Sequence, residues 1–167
     1  IFTTLCLTGF SACNAAMTDT GMKVMLPEYT IEVQAYSPEI VRIIKYPKDV
    51  PPDKESFSVI MTPENLKWTI KREGIDVVIQ TSVVTVKVNT STGAIRYEDK
   101  TGSTLLSEKE AGTTLTPHTY GSGPTYTPGQ SFILDTDEAI YGLGQHQHGK
   151  MNQRNQQIHL VQSNMDI

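Results

Sequence analysis

The residues best equipped to do chemistry crowd into one stretch. From Asp137 to Gly149 the chain reads Asp-Glu-Ala-Ile-Tyr-Gly-Leu-Gly-Gln-His-Gln-His-Gly, and Asn152, Gln153, Arg154, Asn155, Gln156 and Gln157 follow closely. Amides, imidazoles and one guanidinium alternate there with almost no net charge. Such a set of donors and acceptors suits a surface that binds hydroxyls rather than phosphates or hydrocarbons. Gly142 and Gly144 flank a single leucine. Neither carries a Cβ, so the backbone can turn sharply there or pass close to a neighbour.

Other chemistries fit this stretch less well. His146-x-His148 places two imidazoles on one face of an extended segment. His159 or Asp166 would extend that pair toward a metal site, but zinc needs a third and fourth ligand at supportive spacing and a second shell. Hydrogen-bonding histidines on a polar loop are the simpler reading, and neither a metal nor a cofactor is expected. Gly142-x-Gly144 lacks the third glycine and the βαβ surroundings of a dinucleotide fingerprint. No Gly-x-Ser-x-Gly elbow occurs, and the body of the chain holds no cysteine nucleophile. Glu98, Asp99, Glu108 and Glu110 read as solvated charges on turns and solvent faces, so no acid–base pair is assigned.

The elements that must position these residues are strands. The chain has 167 residues, enough for one domain with a core. Its net charge of −4 and pI near 5.5 argue against a nucleic-acid partner, because no basic stripe exists to neutralise phosphates. Threonine occurs 21 times, accompanied by Val, Ile and Tyr, a mix that favours strands. The two cysteines, Cys6 and Cys13, both lie near the N-terminus, so no disulfide framework supports the body. No apolar run reaches the roughly 18 residues of a membrane span.

The first twelve residues, Ile1 to Ala12, read as the apolar part of an export signal that begins without its charged region or initiator Met. Phe10-Ser11-Ala12-Cys13 resembles a bacterial lipobox, which would make Cys13 the site of a lipid anchor and place the domain in the bacterial cell envelope, periplasmic or surface-exposed. Each buried methylene of such an anchor adds about 0.8 kcal/mol. Residues 13–29 are then expected to be a polar tether.

Beyond the tether, Thr30–Ala35 alternates apolar and polar side chains, as a half-buried strand does. Ile40–Tyr46, Ser56–Ile60, Leu66–Lys71, Ile75–Gln80, Val83–Val88, Ala94–Glu98, Ser103–Ser107 and Ser131–Leu134 are further expected strands. Thr81-Ser82 marks a hairpin, with Val84, Val86 and Val88 facing one way and Thr85 and Lys87 the other. Strands recurring every ~8–12 residues with turn residues between them indicate an antiparallel sandwich or barrel, an all-β fold. Lys109 to Gln130 has no periodicity and reads as a long loop with room for short edge strands. Its Tyr120 and Tyr126 are expected to pack out of solvent rather than to stack on a sugar. The apolar-bearing segment near Ile167 shows no domain end, so an incomplete domain is expected.

The run Asp137–Gln147 resembles the signature near the end of the N-terminal β-domain in glycoside hydrolase family 31, the retaining α-glucosidases and α-xylosidases. Gly149-Lys150-Met151-Asn152-Gln153-Arg154 is similar to bacterial members. Tyr36–Ile43 and Thr101–Glu108 match the family's general pattern, so the resemblance spans roughly Lys23 to Ile167.

That resemblance implies a galactose-mutarotase-like β-sandwich over 30–167, incomplete at its C-terminus, beside a (β/α)₈ barrel absent from this sequence. It implies a parent enzyme acting on terminal non-reducing α-linked glucosyl or xylosyl residues of oligo- or polysaccharides. The nucleophile and acid/base aspartates of the family lie on the barrel, so this chain holds no catalytic residue and should be inactive alone. A loop of the N-terminal domain reaches toward the family's substrate pocket. His146, Gln147, Asn152 and Arg154 are the substrate-binding candidates this implies, with packing against the barrel as the competing role for each. The expected partners are the saccharide substrate, the barrel of the same parent chain and, through Cys13, a membrane. The alternative is a stand-alone carbohydrate-binding β-sandwich lipoprotein. A third reading is a domain that only buttresses the barrel.

Overall fold

The computed structural model describes residues 15–48, 50–52, 56–63, 67–121, 123–144 and 149–160. The chain divides into two compact units at the junction of Ile133 and Leu134. All regular structure among the described residues is strand, and all ten strands lie in the first unit. They run β1 (Ala15–Thr18), β2 (Gly21–Met25), β3 (Tyr29–Ala35), β4 (Val41–Pro47), β5 (Thr69–Glu73), β6 (Asp76–Gln80), β7 (Val84–Asn89), β8 (Ile95–Asp99), β9 (Thr104–Tyr120) and β10 (Gly123–Ile133). β1 to β4 form one sheet in chain order, and the second is ordered β10-β9-β8-β7-β6-β5. Every pairing is antiparallel between sequence neighbours. The fold is thus the expected all-β arrangement of two antiparallel sheets.

Alternation decides which side chains fill the core. Met22 and Val24 from β2 and Ile31 and Val33 from β3 form one wall, while Val77, Ile79, Val86, Val88 and Ile95 form the other; each is almost fully buried. Val41, Ile43, Trp68, Ile70, Val84, Tyr97 and Leu115 pack around them. The valine face read in β7 is therefore the core face. Fully burying one such aliphatic side chain contributes about 1.5–3 kcal/mol.

Short polar side chains make the turns. At the β7–β8 turn the Asn89 Oδ1 accepts from the N–H groups of Ser91 and Thr92, both at 2.9 Å. At the β8–β9 turn Asp99 Oδ1 accepts from Thr101 N, Thr101 Oγ1 and Ser103 N at 2.6–2.9 Å. These bonds hold the Asp99 carboxyl below its ordinary pKa, with the Thr101 hydroxyl the largest cause. Thr81 Oγ1 accepts from the N–H groups of Val83 and Val84 and donates to Pro38 O at 2.6 Å, tying the β6–β7 turn to the turn before β4.

Several sequence expectations need correction. Residues 13–29 are not a polar tether as a whole, because β1 and β2 fall inside that range and bury Met22 and Val24. Ser56–Ile60 forms no strand; Phe57 and Ile60 are fully exposed there, so alternation had no sheet to serve. The predicted strand Leu66–Lys71 is displaced to Thr69–Glu73. The expected loop Lys109–Gln130 is instead the outer part of a long β9–β10 hairpin, and Ser131–Leu134 supplies only the end of β10.

β8 pairs with β9 only as far as Ser107, so beyond that point the hairpin is a two-stranded ribbon. A ribbon buries neither face strongly and shows no alternation, which hid it. Its prolines are tolerated because Pro124 and Pro128 lie on the edge strand β10, and Pro117 lies on β9 beyond its pairing with β8. Tyr126 is half-buried on the ribbon, and the side chain of Tyr120 lies outside the described residues.

Two of the four carboxylates expected to be solvated are buried. Glu98 is 8% exposed and Glu108 6%. Glu98 takes Lys87 at 2.9 Å and Arg96 at 3.0 Å. Glu108 takes Lys45 from the opposite sheet at 2.6 Å. Opposite charge and hydrogen bonding are what make such burial tolerable.

Candidate functional site

The second unit begins at Leu134 and carries the glycine turn. Gly142, Leu143 and Gly144 have φ of +88°, +61° and +93°, three successive left-handed residues. That is the sharp turn expected of the two glycines. Leucine between them occupies a conformation that costs a Cβ-bearing residue about 1–2 kcal/mol.

A short box precedes the turn. Glu138 N donates to Asp135 O at 3.2 Å, and Asp135 N donates to Glu138 Oε2 at 3.1 Å. Arg154 closes the box, since its Nη1 donates to both Asp135 O at 2.7 Å and Glu138 O at 2.5 Å. Asn152 binds the next step. Its Oδ1 accepts from Ile140 N at 3.1 Å and from Arg154 N at 3.0 Å. Gln153 N donates to Ile140 O at 2.7 Å, and its side-chain Nε2 donates to Lys150 O at 2.7 Å. Segments 135–140 and 150–156 are thereby sewn together by amides and one guanidinium. A backbone without sheet partners needs such substitutes for its own hydrogen bonds.

Two of the substrate-binding candidates, Asn152 and Arg154, are thus brought together, and both spend hydrogen bonds on the loop itself. Asn152 is exposed and Arg154 half-buried. His146 and Gln147 lie outside the described residues, as do Gln145 and His148, and so does the anchor candidate Cys13. His159 is exposed, and Asp166 lies outside the described residues. Among the described residues no group of three or more His, Cys, Asp or Glu is placed to hold a metal ion.

Two residues here escaped sequence reasoning. Gln153 is 5% exposed, and its Oε1 has no hydrogen-bond partner among the described residues. An orphan acceptor that deep is uncommon. Nothing in a run of six polar residues singled it out. Tyr141, by contrast, stands 65% exposed immediately before the glycine turn. Its signal was available, because an aromatic beside a Gly-x-Gly turn has little room to be buried by it.

The described part of this unit therefore presents amides, a guanidinium and an exposed aromatic on a braced turn. The crystal structure of a GH31 α-xylosidase from Xanthomonas citri is similar, with a TM-score of 0.80 and 26% identity over 88% of this chain. The chain spans 16% of that protein's length. No curated protein sequence matches closely. The family model of the glycosyl hydrolase 31 N-terminal galactose mutarotase-like domain matches residues 30–166, which takes in β3 to β10 and the braced turn. Sandwich and turn together therefore assign the chain: it belongs to the family of glycosyl hydrolase 31 N-terminal galactose mutarotase-like domains.

Proposed function

We propose that the chain is the non-catalytic N-terminal part of a retaining α-glycosidase that removes terminal α-linked xylosyl or glucosyl residues from oligo- or polysaccharides. The observation that carries this reading is the match of domain and fold to a GH31 α-xylosidase. In a retaining mechanism one carboxylate attacks the sugar and a second, about 5–5.5 Å away, serves as acid and then base. A (β/α)₈ barrel of the parent chain would supply that pair at the C-terminal face of its strands. The contribution of this chain is the braced turn around Gly142–Gly144. His146, Gln147, Asn152 and Arg154 are proposed to stand along the saccharide or against the barrel. Cys13 would tether the enzyme to the bacterial envelope through lipid.

The test compares the parent protein with this chain alone on nitrophenyl α-xyloside and α-glucoside. The parent should release nitrophenol from one of them and the isolated chain from neither. Turnover by the isolated chain, or a parent inert on both, would overturn the reading.

A further inference from the structure

A cavity of about 200 Å³ opens on the six-stranded sheet. Its lining comes from five strands and the β7–β8 turn: Asp76 on β6, Lys87 and Asn89 on β7, Arg96 on β8, and Ser107 and Glu110 on β9, with Ile133 on β10. The register explains the gathering. Asp76 lies opposite Asn89, Lys87 opposite Arg96, and Arg96 opposite Ser107. All belong to the first unit.

The polar groups fall into two complementary sets. Lys87 pairs with Glu98 at 2.9 Å and with Glu73 at 3.6 Å, and Arg96 Nε pairs with Glu98 at 3.0 Å; with three and five N–H donors respectively, both cations have further N–H groups to offer. Asn89 uses its Oδ1 on the backbone of its own turn, which leaves its amide N–H groups to offer. Against these donors stand the carboxylates of Asp76 and Glu110. Neither enters any ion pair among the described residues. Ser107 adds a hydroxyl. The wall at Glu108 is fixed, because its Oε2 accepts from both Lys45 Nζ and Ile95 N.

The ligand chemistry follows by elimination. A phosphate would meet two unpaired carboxylates, and a hydrocarbon would strand charges of both signs. A neutral polyol offers each hydroxyl as donor and acceptor together, which suits unpaired carboxylates beside amide and guanidinium donors. Ala94 and the exposed Ile133 supply C–H surface for the apolar side of such a ring. The volume is below the ~300–1,000 Å³ of pockets for drug-sized ligands, so it suits one ring rather than a chain.

We propose that this cavity binds a single neutral sugar ring, as a free monosaccharide or the end residue of a chain. The choice of sugar as polyol rests on the glycosidase reading above. The test is amide NMR on the 167-residue chain titrated with D-xylose, D-glucose and, separately, inorganic phosphate. One of the sugars should shift the amides of Ile95, Ser107 and Glu110, and phosphate should not. Glu110→Leu and Arg96→Leu should each weaken sugar binding roughly tenfold or more, the loss typical of a hydrogen bond to a charged group. Glu28→Leu, at an exposed carboxylate outside the cavity, should leave binding unchanged, and circular dichroism should show all three variants folded. Absence of shifts with both sugars, equal response to phosphate, or sugar binding indifferent to Glu110 and Arg96 would overturn the proposal. The titration reads binding by this chain without the barrel. A parent that hydrolyses glycosides while the chain ignores sugar sinks this inference alone; an inactive parent whose N-terminal chain binds sugar sinks only the glycosidase reading.

Discussion

Lys45 of β4 and Glu108 of β9 form an ion pair between the two sheets, with Nζ 2.6 Å from Oε2 and both side chains at most 10% exposed. Lys45 also donates to Thr113 Oγ1 at 2.8 Å and Gln130 Oε1 at 2.9 Å, and Glu108 accepts from Ile95 N. Burial is the first cause acting on Lys45 and holds its pKa below the usual value, against the pull of Glu108. The pair therefore closes the core where the ribbon leaves the sheet, at a high desolvation cost. Removing one partner strands the other, which typically costs about 3–5 kcal/mol. Lys45→Met and Glu108→Leu should each lower stability by about that much in urea unfolding. The double variant should lose far less than the sum, because an apolar pair leaves no charge unpartnered. Additive losses would mean the two side chains do not depend on each other.

Tyr97 gives an alkaline prediction. Burial first, and the charge of Glu108 second, push its phenol well above the ordinary 10.0. Below that value both folded and unfolded chains carry the neutral phenol. Above it the unfolded chain ionises first, so stability falls as pH rises, by at most about 1.4 kcal/mol per pH unit for one group. Lys45 acts oppositely, since the folded state sheds its proton first and so gains stability with pH. Comparing wild type with Tyr97→Phe isolates the phenol: the alkaline fall in urea midpoint should be shallower in the variant. Parallel curves would show that Tyr97 ionises as easily folded as unfolded.

Gly93 packs its Cα face on Tyr29. It has φ of +70°, and an added Cβ would come within 2.1 Å of the Tyr29 hydroxyl and 3.3 Å of Leu26 Cδ1. Gly93→Ala therefore carries a backbone cost of about 1–2 kcal/mol and an overlap cost of similar size. Tyr29→Phe removes the atom in the way. Adding it to Gly93→Ala should recover the overlap part and leave the backbone part, read as thermal or urea midpoints. If Tyr29→Phe only adds to the damage, the overlap is not where the cost lies.

How much of this was readable beforehand depends on what each residue had to satisfy. The β6–β7 hairpin was legible because Val84, Val86 and Val88 answer to a buried face, and that face imposes alternation. Asp99 was legible as a turn residue because its side chain bonds the turn's own backbone. The ribbon was not, since most of residues 109–130 answer to a partner strand through backbone bonds, and Leu115 alone among the described ones packs on the core. Glu108 was misread for a related reason: its partner Lys45 lies 63 positions away, on the other sheet. Short-range pattern carries no trace of such a pairing. Gly142 and Gly144 were legible because left-handed φ selects glycine. The roles of Asn152 and Arg154 were legible only as polar character, because which carbonyl a guanidinium reaches is decided by the fold.

Asn152 can be used to tell a brace from a sugar contact. Its Oδ1 holds Ile140 N and Arg154 N, so Asn152→Asp keeps the acceptor that the loop needs while removing the amide donors. Asn152→Ala removes both. Amide exchange at Ile140 and Arg154 should stay slow in Asn152→Asp and quicken roughly tenfold in Asn152→Ala, the effect of about one hydrogen bond. Arg154→Ala should loosen the turn further, since it frees the carbonyls of Asp135 and Glu138 together. If the parent is the proposed glycosidase, Asn152→Asp with protected amides and unchanged kcat/KM would assign Asn152 to the brace alone. Protected amides with a reduced kcat/KM would place its amide donors on the saccharide. Fast exchange in Asn152→Asp would show that the Oδ1 bonds do not hold the turn.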